Sequence, residues 1–212
     1  MSAHCYIAGA GEFTGIYSPG QDDYIIAADA GYSELIQRGI EPDMVVGDFD
    51  SLGSAPAHPN IKLSPAEKDD TDMMLAVKQG LMRGYKSFVI DGGLDGRLDH
   101  TFANFQVLVY LSRNEARGVL LGHDMCVTAV TNGSVGFFSS ASGSISVFSA
   151  GDKAKGVTLT GLKYSLDDAA LTYDYPTGVS NEFTGKPATV AVHDGTLIII
   201  WAGGPGLMEG GI

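Results

Sequence analysis

Cysteine is almost absent from this chain: Cys5 and Cys126 are the only two in 212 residues. A pair so far apart in sequence provides neither a disulfide framework nor the paired spacing of a structural zinc site. The fold is therefore expected to rest on its own core, in a reducing, cytoplasmic setting. Basic residues are scarce as well, 13 Lys and Arg against 25 Asp and Glu, for a formal charge of −12. A protein that neutralises a phosphate backbone carries the opposite balance, so nucleic acid is not the expected partner. No apolar run approaches a membrane span; the longest, LIIIWA at 197–202, is far too short. The opening MSAHCYIAGAGE lacks the basic start and long apolar stretch of a secretory leader, so no targeting segment and no membrane partner are expected. Two nucleotide loops are missing too. There is no GxxxxGK[ST], and GAGEFTG at 9–15 has its glycines in the wrong register for GxGxxG.

What the chain does have is apolar residues at 44%, enough for a real core, and 29 glycines, which point to tight turns and close backbone approaches. The first part alternates strands and helices. CYIAG (5–9), YIIAA (24–28), DMVVG (43–47), YKSFVI (85–90) and VLLG (119–122) read as short buried strands. AGYSELIQRG (30–39) reads as a helix with Leu35 and Ile36 on one side and Gly39 as its stop. TDMMLAVKQGLMR (71–83) places Met74, Val77 and Leu81 at helical spacing, with Leu75 and Met82 alongside and Met73 also assigned to the core. HTFANFQVLVYLSR (100–113) carries a Phe102, Phe105, Val109 stripe. This order predicts an α/β domain with a parallel sheet. After about residue 125 helical periodicity gives way to short runs (VGFFSS, SISVFSA, GVTLTGL, ATVAVH, TLIIIWA) separated by turn residues. That texture predicts a smaller C-terminal β-sandwich. The expected domains are 1–131 and 132–212.

Carboxylates gather where the strands should end. In MVVGDFDSLG, Asp48 and Asp50 follow a strand with one residue between them. If the backbone stays extended through Phe49, both side chains point to one side. Like charges so close call for a positive partner, and oxygen ligands favour Mg²⁺. A lone GDFD would equally serve to shape a turn. The pattern recurs, however, in EKDDTD (67–72), where Asp70 or Thr71 is suited to cap the next helix, and in GGLDGRLDH (92–100), where Asp99 can cap another. Arg97 is placed to grip phosphate, and Gly92, Gly93 and Gly96 would let backbone approach the ligand. In a parallel sheet these loops converge at one edge, where ligands bind.

AADAG, PDMVVGDFDS, EKDDTDMMLA and GGLDGRLDHTFANFQVL, in this order and spacing, resemble thiamin pyrophosphokinases. SISVFS, GLKYSL and VSNEF extend the resemblance more loosely into the C-terminal part. It implies an α/β domain followed by a β-sandwich. It also implies a homodimer with active sites at the subunit interface, and Mg²⁺-dependent transfer of the pyrophosphoryl group of ATP to thiamin, releasing AMP. Asp29, Asp48, Asp50, Asp72 and Asp99 match the family's acidic positions, Asp69 and Thr71 its DxTD-like segment, and Arg97 its GRxD arginine. By that resemblance Asp48, Asp50, Asp72 and Asp99 would hold metal. Asp29, Thr71, Gly93 and Arg97 would bind ATP. Catalysis would rest on Asp48, Asp72, Asp99 and Arg97, with Asp72 either a metal ligand or the base for the thiamin hydroxyl. Ser180 and Asn181 match the stretch that meets thiamin, where Asn181 offers both a donor and an acceptor to an aminopyrimidine edge. Trp201 is either a core residue or an aromatic face for the vitamin's cationic ring. The sequence departs from the family at Asp95, which adds a negative charge near Arg97. Two other classes fit the acidic loops alone: a Mg²⁺-dependent phosphohydrolase, and a non-enzymatic module binding metal and ligand.

Overall fold

The computed structural model describes residues 3–49, 56–63, 69–94 and 96–210. The chain divides into two compact units, Met1–Val107 with Leu120–Gly122, and Leu108–Val119 with His123–Ile212.

The first unit runs β1 (Cys5–Ala8), β2 (Tyr24–Ala28), α1 (Gly31–Gln37), β3 (Met44–Gly47), β4 (Ile61–Leu63), α2 (Asp72–Met82) and β5 (Ser87–Asp91). Its strands lie in the order β4-β3-β2-β1-β5, and every pairing is parallel. The apolar runs make sense in that setting, because strands covered on both faces have no solvent side to alternate towards. Ile7, Ile26, Val45, Val46 and Ile90 are wholly buried. The three-residue edge strand β4 was not foreseen; two of its residues are exposed, and it is too short to carry a pattern. α3 (Leu98–Arg113) and β6 (Arg117–Leu121) then lead into the second unit, and each supplies residues to both.

The helices lie where expected but turn different faces inward. α1 buries Leu35 and leaves Ile36 41% exposed. α2 buries Met73, Ala76, Val77, Gln79 and Gly80; of the expected Met74–Val77–Leu81 stripe only Val77 is fully buried, and Met82 points into solvent. Gly80 gives the reason: a Cβ there would stand 2.5 Å from the Phe88 ring and 2.8 Å from the Cys5 sulfur. The helix seats Gly80 on β1 and β5, and this close approach decides its rotation. α3 likewise buries Asn104, Val107, Leu108 and Leu111, and leaves Phe102 exposed.

The second unit contains β7 (Met125–Thr131), β8 (Ser134–Phe137), β9 (Ser144–Ser149), β10 (Lys153–Thr160), β11 (Leu166–Thr172), β12 (Asn181–Glu182), β13 (Ala188–Ala191) and β14 (Thr196–Ala202). They form two antiparallel layers, β12-β9-β14-β7 and β11-β10-β13-β8. Burial alternates along β9, as expected of a sheet with one face on a core. Phe137 of β8 meets Trp201 of β14 edge-on at 5.4 Å, so the layers pack face to face as a sandwich. Among the described residues no helix is long and apolar enough to cross a membrane.

Candidate functional site

The first unit holds a cleft of about 390 Å³. Its walls come from the loops after β1, β2 and β5 and from the first turns of α2 and α3. All three strands are parallel, so their carboxyl ends meet at one edge of the sheet. Asp29, Thr71, Asp72, Gly93 and Arg97 all line this cleft.

Each is positioned by local chemistry. Asp29 follows β2 in the left-handed conformation, at φ +51°, with its N–H donating to Val46 O at 2.8 Å. Gly47 makes room for that turn, since a Cβ there would lie 3.2 Å from the Asp29 Cα. Thr71 is extended and caps α2, its Oγ1 accepting from the Met74 N–H at 3.2 Å. Asp72 falls in the helix's first turn, where the exposed N–H groups favour an anion. Asp70 pairs instead with Lys78, at 2.7 Å. Gly92 turns the chain after β5 at φ +69°, and the Gly93 carbonyl accepts from the Asn104 amide at 2.7 Å.

Arg97 grips Asp99 with both prongs of its guanidinium, Nη2 to Oδ2 at 2.7 Å and Nε to Oδ1 at 3.2 Å. Hydrogen bonding from Arg97 pulls the Asp99 carboxyl below its usual range, and the same bond raises Arg97. Both side chains are largely exposed. α3 begins at Leu98, so Asp99 is its second residue and not the cap expected of it.

Asp48 and Asp50 are expected to share a side only if the backbone is extended at Phe49. The chain does not stay extended between them: Phe49 adopts φ +60° and buries its ring to 2% exposure. Such a φ is strained for a bulky residue, and the buried ring is what holds it. Asp48 is half-buried at the end of β3, and Asp50 lies outside the described residues, as does Asp95. Among the described residues no three His, Cys, Asp or Glu side chains stand together as a preformed metal cage. Hard carboxylate oxygens at a cleft edge still suit Mg²⁺, which keeps several waters and binds through one or two carboxylates plus phosphate oxygens.

The three residues assigned to thiamin sit in the second unit. Asn181 is 3% exposed and its amide is engaged at both ends: Oδ1 accepts from the N–H groups of Tyr164 and Glu182, both at 2.9 Å, and Nδ2 donates to Tyr164 O at 2.6 Å. These bonds pin its own loop. Trp201 is 1% exposed, with Nε1 donating to Gly204 O at 3.2 Å; of its two readings, the packing one describes what the chain shows. Ser180 is exposed, at φ +58°.

Three contributors were missed. Gly9–Ala10–Gly11 forms one side of the cleft without matching any nucleotide loop. Asn104 braces Gly93 from a helix face that was assigned wrongly. Asp91, 1% exposed, ends β5 and bonds back to the β1 loop; its only sequence signal is an acid closing an apolar run.

Such an arrangement defines a class: an open α/β sheet with carboxylates, an arginine and glycine-rich turns around one strand-end cleft, followed by a β-sandwich. Comparison with known proteins makes the class specific. Residues 20–120 match the family model for the thiamin pyrophosphokinase catalytic domain, and residues 139–197 match that for the thiamin pyrophosphokinase vitamin B1 binding domain. Thiamine pyrophosphokinase of Bacillus subtilis is 29% identical, over 82% of this chain and 85% of that one. Thiamin pyrophosphokinase 1 of Caenorhabditis elegans is 27% identical, over 76% and 72%. The crystal structure of thiamine pyrophosphokinase from Bacillus subtilis superposes with a TM-score of 0.82 at 26% identity, covering 95% of this chain and 99% of that one. The chain belongs to the thiamin pyrophosphokinase family.

Proposed function

We propose that the protein transfers the pyrophosphoryl group of ATP to the hydroxyl of thiamin, giving thiamin diphosphate and AMP. One observation carries this reading beyond family membership: Asp29, Thr71, Asp72, Gly93 and Arg97, drawn from three separate segments, line a single cleft at the ends of parallel strands. Arg97 sits on an exposed turn and exchanges Asp99 for a phosphate oxygen at little cost, because surface ion pairs are weak. Gly93, where a Cβ would stand 2.6 Å from Leu120 Cδ1, keeps its backbone close-packed on the cleft wall where the phosphates would bind. Asp72 accepts the proton of the thiamin hydroxyl or orients it for attack on the β-phosphorus, with AMP as the leaving group. Mg²⁺ held by Asp72 and Asp29, which line the cleft, would neutralise charge on the transferred group, and Asp48, just after β3, is a further candidate carboxylate for it. The net charge of −12 favours approach of thiamin, whose thiazolium is cationic.

We further propose a cytoplasmic homodimer in which the sandwich of one copy completes the cleft of the other. Exposed Tyr164, Tyr173 and Tyr175 on the second unit support a contact surface there, and the two buried cysteines suit a reducing compartment. Light scattering at micromolar concentration tests the assembly: a monomer at all concentrations removes it.

The decisive experiment follows AMP in a mixture of protein, Mg²⁺, ATP and thiamin. AMP that requires thiamin supports the transfer. Phosphate released equally well without thiamin indicates a hydrolase instead. Chelation by EDTA should stop turnover, and Asp72→Asn should abolish it while the melting curve stays cooperative.

A further inference from the structure

The most heavily anchored side of the cleft is the one without a recognisable motif. Asp91, the last residue of β5, is 1% exposed, and each of its carboxylate oxygens takes two donors. Oδ1 accepts from the Gly92 N–H at 2.9 Å and the Thr14 N–H at 3.0 Å. Oδ2 accepts from the Thr14 hydroxyl at 3.2 Å and the Tyr6 hydroxyl at 3.3 Å. Burying a carboxylate is costly unless such bonds replace its water, so four donors converging on one side chain mark a built arrangement. Burial first, and then the Asp91 charge, push the Tyr6 hydroxyl well above its usual range, so it stays protonated as a donor.

The backbone is stitched to match. Gly9 N–H donates to Asp91 O at 2.8 Å and Gly11 N–H to Gly92 O at 2.9 Å. The two loops touch so closely that a Cβ on Gly9 would stand 2.5 Å from Gly92 O, and one on Gly92 2.8 Å from Gly9 O. Beyond them Phe13 is buried, with the Arg38 guanidinium 5.0 Å above its ring. Gly9, Gly11, Gly92 and Gly93 all line the cleft, whereas Asp91 and Thr14 do not.

We propose that Asp91 is a positioning residue that locks Gly9–Ala10–Gly11 and Gly92–Gly93 into one preformed wall of the ATP cleft. The proposal rests on the nucleotide reading of that cleft. Residues 9–23 join β1 to β2 without regular structure of their own. Left loose, the near part of this segment would have to be ordered each time ATP binds, at the expense of ATP affinity. Asp91 shifts that ordering to folding. Its removal should therefore raise KM for ATP while leaving kcat and the KM for thiamin in place, a split that general destabilisation does not produce.

The test uses Thr14→Val, which deletes one donor and keeps the shape, together with Asp91→Asn and Asp91→Ala. KM for both substrates, kcat, melting temperature and calorimetric affinity for Mg-ATP without thiamin are measured on each and on the unaltered protein. Losing a hydroxyl bond of ordinary strength predicts a KM and Kd for ATP raised roughly two- to tenfold in Thr14→Val, with thiamin KM and kcat within about twofold. Asp91→Ala should exceed it. Asp91→Asn, which keeps an acceptor for the two backbone N–H groups, should fall between the unaltered protein and Asp91→Ala. Unchanged ATP affinity in Thr14→Val, or equal losses for ATP and thiamin, overturns the proposal, and Thr14→Val decides alone if the Asp91 variants do not fold. Should the unaltered protein form no AMP, the transfer reading fails and calorimetry still judges the wall. If it binds no ATP either, both fall.

Discussion

Arg97 and Asp99, two residues apart at the start of α3, form a bidentate ion pair with a shorter bond of 2.7 Å, out in solvent. The fork that holds Asp99 is the same one that suits a phosphate, so on the proposed function a bound phosphate would compete with Asp99 for Arg97. Arg97→Ala should lower kcat/KM for ATP about ten- to a hundredfold, the worth of charged hydrogen bonds to a phosphate. Asp99→Asn separates two roles. If Asp99 only restrains Arg97, KM for ATP stays level or falls. If it holds metal, turnover drops and the Mg²⁺ requirement rises.

Thr71 both caps α2 and lines the cleft. Thr71→Ala leaves the Met74 N–H without its partner and should cost about 1 kcal/mol, a fall of about 2–4 °C in melting temperature for a chain of this size. Thr71→Ser keeps the cap and should restore the melting temperature. A Ser variant that melts with the Ala variant would show that the hydroxyl does not matter there.

Much of the fold was legible because strand ends are marked by composition. YIIAA becomes β2 residue for residue, and the acid- and glycine-bearing loops fall at the ends of parallel strands as foreseen. Helix rotation was not legible. Periodicity announces a stripe, but the approach of Gly80 to Phe88 and Cys5 depends on residues far apart in sequence, and it turns Met82 outward. Single-residue backbone reversals were equally hidden: nothing in GDFD says that Phe49 takes φ +60°, and that one torsion removes the geometric case for pairing Asp48 with Asp50. Asp91 was passed over because a buried acid is recognised by its donors. Tyr6 and Thr14 lie more than seventy residues away from it.

Asp23 should govern part of the acid response. Burial works to raise its carboxyl. Donation from His4 N–H at 2.8 Å, Gly20 N–H at 2.7 Å and Tyr17 hydroxyl at 2.8 Å outweighs it, and the net shift is downward from 3.8. A lowered carboxyl stabilises the fold fully above its unfolded value and ceases to do so as pH falls through its folded value. The melting temperature should therefore drop on acidification below about pH 4, and Asp23→Asn should drop less steeply from a lower start. Parallel curves for the two proteins would show that Asp23 contributes nothing to acid stability.

Gly80 sets a conflict between helix propensity and packing. Alanine in a helix interior is worth about 1 kcal/mol over glycine. At this position its methyl would sit 2.5 Å from Phe88 Cε1 and 2.8 Å from Cys5 Sγ, with Phe88 wholly buried on β5. Neither neighbour is the free end of a flexible chain, so α2 must lift, and overpacking of this kind costs about 1–3 kcal/mol. Gly80→Ala should lower the melting temperature despite its better propensity. It should also weaken ATP binding, since lifting α2 displaces Thr71 and Asp72 at its first turn. Phe88→Leu makes room for the methyl, so the double variant should melt higher than the sum of the two single losses predicts. Strict additivity in that cycle, or a Gly80→Ala protein that melts above the unaltered one, would mean that the helix does not rest on the sheet through this contact.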